Sequence, residues 1–445
     1  MSSGPTPSDA KRISLLTATA IVVANMVGTG VFTSLGFQVG GLPSGFAILV
    51  LWLVGGACAL AGALSYGELA AALPRSGGEY HFLSRIYHPA VGFLAGWLSI
   101  TVGFAAPIAA AAMALGEYFS HVAPALGARW VSLAVVALIS VVHLRGIGFG
   151  SVFQDFATAF KLLLIIGLVI AGFTFRGSQP ISFAPQPGDW ELITGSSFAI
   201  SLIFVMYAYS GWNASTYIVG EVREPARNVP ASLVLGTCLV ALLYLALNAI
   251  FLRAAPIAEL KGQVDVGHVA ATHIFGSAGG RLMDGLICIG LVSLISAMTW
   301  VGPRVSMTMG EDCLALGFLA RRNRQGVPGA AILAQLAIVA MLLLTATFER
   351  VVTFIQFSLT VCSFMTVLGV IVLRFTEPDL SRPYKTWGYP VTPVVFLAIS
   401  LWMMIHIIRS KPVESLAGLA TMAAGLAIYF LSPKRTSLAA SATIA

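Results

Sequence analysis

The groups in this 445-residue chain that could do chemistry are backbone atoms at two glycine-containing interruptions and one lysine. The first interruption is Ala24-Asn25-Met26-Val27-Gly28-Thr29-Gly30-Val31-Phe32, inside an apolar run from Ile13 to about Val39. A run of that length can cross a bilayer, which takes about 20 apolar residues. At ~1.5 Å per residue Gly28 lies ~20 Å into it, deep in a hydrocarbon core of ~30 Å. A broken backbone there leaves N–H and C=O groups that lipid cannot satisfy. A neighbouring helix, water or a ligand must meet them. The second interruption is Tyr207-Ala208-Tyr209-Ser210-Gly211-Trp212-Asn213. The lysine, Lys161, sits among Ala159, Phe160, Leu162 and Leu163, ~14 Å into another apolar run and too deep to snorkel easily. An ammonium at the bilayer centre costs at least ~2.5–3.5 kcal/mol, so a functional role is its default reading.

The elements that must position these groups are membrane helices. The chain is 58% hydrophobic and 10% charged, whereas soluble domains carry about 25% charged residues. The excess of Lys and Arg forms no basic stripe with interleaved aromatics, so nucleic acid is not a partner; the lipid bilayer is. The five cysteines (Cys58, Cys238, Cys288, Cys313, Cys362) are scattered without ligand spacing, and neither a metal site nor a disulfide framework follows. The first apolar run is too long for a signal-peptide core and reads as a retained helix.

Apolar segments separated by turn residues and charges predict twelve spans, near 13–39, 45–72, 88–118, 128–145, 152–173, 196–220, 229–253, 280–309, 329–347, 351–373, 390–408 and 414–431. With the N-terminus inside, fifteen Lys and Arg residues fall on the inner side and eight on the outer, which favours both termini in the cytoplasm. Gly211 follows Gly28 by 183 residues, the same offset that separates the starts of spans one and six. Five spans are an odd number, so two such units lie inverted in the membrane. Paired interruptions in inverted halves point to a transporter's central site. Close helix packing at small residues is the competing reason for either glycine.

At these segments the chain resembles the amino acid–polyamine–organocation superfamily, most of all its L-type amino acid transporter branch. Gly28-Thr29-Gly30-Val31-Phe32 is similar to its G-[ST]-G-[IV]-F signature, and Pro74-Arg75-Ser76-Gly77-Gly78-Glu79-Tyr80 to its P-x-S-G-G-x-Y. Tyr207 to Asn213 with Glu221, Pro225, Asn228 and Pro230 resembles the run after the sixth-span break, and Arg382-Pro383-Tyr384-Lys385 with Pro390 and Pro393 resembles the linker before span eleven. The resemblance implies an all-α integral membrane fold of the LeuT type. A first five-helix repeat covers 13–173, an inverted second repeat 196–373 and two further helices 390–431, with broken helices one and six and cytoplasmic tails at 1–12 and 432–445.

It also implies roles. Gly28, Thr29 and Gly30 take a substrate carboxylate through backbone N–H groups; Met26, Val27, Tyr207, Ala208 and Ser210 take its amine through carbonyls, with Gly211 at the second break. Tyr207 stands where relatives place an aromatic gate. Lys161 matches a lysine that stands in for a sodium ion beside the bent first helix. The helix-terminus charges agree with this, positive at an N-terminus and negative at a C-terminus.

The resulting expectation is a sodium-independent secondary permease of amino acids in the plasma (inner) membrane, working by exchange or by proton-coupled uptake, with protons as the second partner in the latter case. It needs no cofactor. A polyamine or organic-cation antiporter of the same fold is the alternative and calls for mid-membrane carboxylates, which the predicted spans lack. A membrane-embedded enzyme would require a catalytic dyad, H-E-x-x-H or metal ligands, and a channel a filter loop or a charged ring; the sequence contains neither set. Ser293, Ser296 and Thr299 either bond between helices or line a cation site. The charges from Glu221 to Arg227 read as a salt-bridged loop.

Overall fold

A computed structural model describes residues 13–146, 151–174, 179–324 and 326–432. The predicted 1–12 tail, Arg176 and all of the 432–445 tail beyond Ser432 lie outside the described residues. The described chain is helical without a β-strand: α1 Leu15–Met26, α2 Gly30–Gln38, α3 Gly45–Ala72, α4 Gly78–Ile86, α5 Pro89–Leu98, α6 Ala105–Val122, α7 Ala128–Leu144, α8 Ser151–Thr174, α9 Asp189–Thr194, α10 Ser196–Tyr209, α11 Pro225–Ala254, α12 Ile257–Leu260, α13 Val266–Asp312, α14 Gly329–Thr345, α15 Phe348–Thr376, α16 Val391–Ser410 and α17 Pro412–Leu431. Seven helices are long and apolar enough to cross a membrane, or eight if the bent α1–α2 pair is one span. Three shorter apolar stretches, Ala128–Leu144, Ala159–Thr174 and Gly329–Thr345, accompany them.

Local chemistry sets many of the boundaries. Ser14 and Ser44 accept from Thr17 N–H and Ala47 N–H, each at 3.2 Å, satisfying donors that the first turns of α1 and α3 leave open. Pro89 opens α5, where its missing N–H costs nothing. Between α5 and α6 the third predicted span is continuous but passes through a π-helical segment, Ser99–Phe104.

A positive-φ glycine stands within one predicted span and just ahead of another. The expected span 196–220 is helical only to Tyr209; Gly211 then takes φ +95°, and a 3₁₀ helix follows at Ala214–Glu221. A left-handed residue cannot continue an α-helix, and glycine adopts it without steric cost. The expected span 280–309 falls within the second of the two helices that make up α13, which meet at a kink at Gly276, φ +77°. Asp284, near the start of that predicted span, is fully buried. The Glu221–Arg227 loop forms no ion pair among the described residues. It is held by backbone instead: Ile13 N–H donates to Glu221 O at 2.8 Å and Arg223 N–H to Ile13 O at 2.9 Å.

The core is built on α3 lying along α11 and α6 along α13. α1 packs on α11 while α10 packs on α3; α8 touches α11 and α13 while α15 touches α3 and α6. At the end of the bundle where α1 starts, buried Glu68 is paired with Arg374 at 2.7 Å and Arg382 at 3.4 Å. Arg85 and Glu377 pair there at 2.7 Å, and the guanidinium holds the Glu377 carboxyl below its ordinary range.

Candidate functional site

α1 and α2 are the two halves of the first predicted span, bent by 41° across Val27–Thr29. The first N–H groups of any helix lack partners inside it. Thr29 stands at the N-cap of α2 but its side chain caps nothing. Its hydroxyl instead shares a 2.7 Å hydrogen bond with the Tyr207 hydroxyl, so the N-terminus of α2 keeps its donors and its positive end.

The carbonyl side of this break is partnered. Lys161 is buried on α8 and donates through Nζ to Val27 O at 3.0 Å. Gly290 of α13 makes room for its stem, since a Cβ there would stand 3.3 Å from Lys161 Cγ. No carboxylate pairs with this lysine among the described residues. The Tyr244 hydroxyl, on α11, is placed to donate to Met26 O at 2.7 Å and to Ala208 O at 3.2 Å. One phenol therefore spans both breaks. The ring is fully buried, edge-on to Trp52 at 5.6 Å and beside Tyr209 at 5.3 Å.

α10 ends beside this point. Ser210 N–H turns back to Tyr207 O at 3.0 Å. Each carbonyl has two lone pairs, so Met26, Val27, Tyr207 and Ala208 can each accept once more. The breaks themselves are in contact. A Cβ on Gly30 would lie 2.4 Å from Ala208 Cα, and one on Gly211 would lie 2.8 Å from Asn25 O. Gly28 faces Leu294 of α13 at 3.4 Å by the same measure.

Exposure changes across the site. Thr29, Phe32 and Tyr207 are buried, while Gly28, Ser210, Gly211 and Asn213 are partly exposed and Asn25 is exposed. On the buried side Tyr207 meets Phe348 edge-on at 6.4 Å, and Phe37 stacks on Phe348 at 5.7 Å and on Phe204 at 5.0 Å.

All the residues expected at the breaks are thus neighbours: Met26, Val27, Gly28, Thr29 and Gly30 with Tyr207, Ala208, Ser210 and Gly211, and Lys161 against the first. Tyr244 and Phe348 are additions that sequence reasoning missed, and Asn25 was read only as part of the first interruption. Tyr244 lies in an apolar run where its type carries no special spacing, and Phe348 stands beside Glu349 and Arg350 between two predicted spans. Ser296 bonds to His143 Nε2 at 3.0 Å, joining α13 to α7, whereas Ser293 and Thr299 have buried hydroxyls with no hydrogen-bond partner. The arrangement sets a helix N-terminus with open donors opposite helix carbonyls that keep free lone pairs.

Residues 13–431 match the family model described as amino acid permease. The chain is 27% identical over 439 residues to the serine/threonine exchanger SteT of Bacillus subtilis, covering 96% of this chain and 97% of that protein. It is 26% identical over 436 residues to the b(0,+)-type amino acid transporter 1 of Mus musculus, with 96% and 88% covered. To the mouse Asc-type amino acid transporter 1 it is 25% identical over 431 residues, with 95% and 81% covered. A match running through both breaks and on to the last described helix makes the chain a member of the amino acid permease family, within the amino acid–polyamine–organocation superfamily.

Proposed function

We propose that this multi-pass membrane protein is a sodium-independent amino acid permease of the plasma membrane, with both termini cytoplasmic, that works by alternating access around the two breaks. The observation that carries the reading is the division of labour at the first break. Lys161 and Tyr244 occupy its carbonyls, and the uncapped N-terminus of α2 is left for an anion. Gly28, Thr29 and Gly30 hold the substrate carboxylate by backbone N–H groups. The second lone pairs of the Met26, Val27, Tyr207 and Ala208 carbonyls, with the Ser210–Gly211 turn, hold its ammonium. Lys161 places a fixed positive charge where a sodium ion would otherwise be needed, so no sodium is required.

Twelve spans in a five-plus-five inverted repeat with two added helices fit the packing. Exchanging the halves turns α1 on α11 into α10 on α3, and α8 on α13 into α15 on α6. The exposure gradient supports a conformer whose site opens toward the end where α1 starts, the inner side by the positive-inside count, with the Phe37–Phe348–Tyr207 layer closed on the other. An organic-cation carrier is disfavoured: Asp284, the carboxylate buried within α13, lies ten residues from Leu294 and so ~15 Å along the helix from the break, and it is already paired with His268.

The test is uptake of a panel of labelled amino acids into liposomes containing the purified protein. It is run with and without sodium, with a pH gradient, and with unlabelled amino acid preloaded. Stimulation by preloaded amino acid identifies exchange, while acidification of the lumen identifies proton coupling. Uptake that requires sodium overturns the role given to Lys161.

A further inference from the structure

At the end of the bundle where α2 terminates, far from the breaks, four titratable side chains from three segments converge. His121 Nε2, in the last turn of α6, bonds to Asp265 Oδ2 at 2.5 Å. His268 Nδ1, in the first turn of α13, bonds to Asp284 Oδ2 at 2.7 Å. The two imidazoles lie face to face, centroids 3.8 Å apart and planes within 3°. Asp265 sits at the N-cap of α13, a position where Asp ordinarily caps, yet its side chain caps nothing and is committed to His121. Asp284 is fully buried, and its Oδ1 has no hydrogen-bond partner.

We propose that this quartet is a proton-binding site that clamps the 262–268 segment, and with it α2, onto α6. With neutral imidazoles, His121 Nε2–H and His268 Nδ1–H already donate to two carboxylates, so the quartet carries two negative charges. A proton adds at a nitrogen turned away from the carboxylates, His121 Nδ1 or His268 Nε2, the latter facing Thr272 Oγ1 at 3.5 Å. One such proton sits on a ring bonded to a carboxylate, whereas a second would place two cationic rings in contact. The other groups in electrostatic reach are Glu117 of α6, near Asp265 and His121, and Tyr118 and Cys288, near Asp284. Arg129, at the start of α7, is the cation that lines one cavity with Glu117, Gly262 and Val264.

The clamped segment is wired to α2. Gly262 N–H donates to Gly36 O at 2.8 Å. The Tyr118 hydroxyl donates to Phe32 O at 2.9 Å while accepting from Gly267 N–H at 3.1 Å. α2 carries Gly30 and begins at Thr29, so freeing it opens the site toward this face. The sign follows: the docked form holds the proton and is favoured at low pH, and loses support as pH rises through the quartet's titration.

This inference rests on the permease reading, and exchange flux is its assay. Amino acid counterflow is measured in liposomes at equal pH on both sides with an uncoupler present, so that no proton gradient drives it, over about pH 5 to pH 8, where imidazole titrates. The expected result is a several-fold rise in flux with pH. The double variant His121→Gln/His268→Gln is expected to be flat, and Asp284→Asn to move the midpoint to lower pH because one proton-attracting charge is gone. Variant profiles that superpose on the wild type, or a flat wild-type profile, overturn the proposal. Should the double variant fail to fold by gel filtration, the Asp284→Asn midpoint decides alone. Absence of counterflow at every pH overturns the permease reading instead. Histidine-selective NMR titration of the detergent-solubilised protein then decides the quartet: two coupled imidazole titrations sustain it, and independent ones overturn it.

Discussion

The two breaks differ in what lies on either side of them. The first has an α-helix on both sides and a 41° bend between, so it presents a C-terminus with carbonyls and an N-terminus with N–H groups. The second has an α-helix only before it; after Gly211 the chain continues as a turn and a 3₁₀ helix. The partners differ in the same sense. At the first break a lysine and a tyrosine occupy the carbonyls, leaving the N–H end open. At the second, Ala208 O shares that tyrosine and Tyr207 O takes the Ser210 N–H. On the proposed reading, a zwitterion between them has one orientation: the carboxylate at α2 and the ammonium at the carbonyls both breaks contribute.

The sharpest way to break this pairing is to separate the breaks. Gly30→Ala places a methyl carbon 2.4 Å from the Ala208 Cα, a backbone atom that cannot rotate away. Transport is expected to be abolished, measured as counterflow in liposomes after gel filtration shows whether the protein still folds. Next in size is Lys161→Ala. It removes a charged hydrogen bond of about 1.5–3 kcal/mol, so uptake is expected to fall roughly tenfold to a hundredfold. Activity that survives unchanged would remove Lys161 from the first break's account.

Tyr244→Phe tests whether one hydroxyl couples the breaks. It strips a donor shared by Met26 O and Ala208 O at a cost of about 1–3 kcal/mol. Because those carbonyls belong to the proposed ammonium site, apparent KM for amino acids is expected to rise by up to about a hundredfold. A change confined to thermal stability would assign Tyr244 to packing. The smallest effect is expected from Tyr207→Phe, which keeps the ring on Phe348 and loses only the Thr29 bond, about 0.5–1.5 kcal/mol. If that bond helps close the α2 side, the variant should exchange amino acid faster from that side than from the other.

How much of this was legible from residue order varies with the length scale. Helices form within a few residues of the predicted ends of spans two, four, five and nine to twelve, because continuous apolar runs bounded by Ser, Pro and charges specify both burial and caps. The first break was legible because Gly-Thr-Gly interrupts such a run. Span six was overextended, since its apolar composition continues past Tyr209 although Gly211 takes a left-handed conformation. The stretch ahead of Gly276, outside every predicted span, forms a separate helical piece before the kink, because His268 and His273 interrupt its apolar pattern without preventing a helix. The charges of 221–227 invited salt bridges, yet a backbone bridge to Ile13 holds that loop.

Residue order alone determined that the chain crosses membranes many times, where its backbone breaks and that one buried ammonium must meet an acceptor. These are local properties of composition and spacing, expressed whatever the neighbours are. Only the tertiary structure decided which acceptor that is, that Tyr244 reaches both breaks, and that His121 and His268 stack although 147 residues separate them. Those pairings depend on which helix faces come together. A buried polar atom takes whatever partner packing brings within hydrogen-bonding distance, and no periodicity in the chain encodes that meeting.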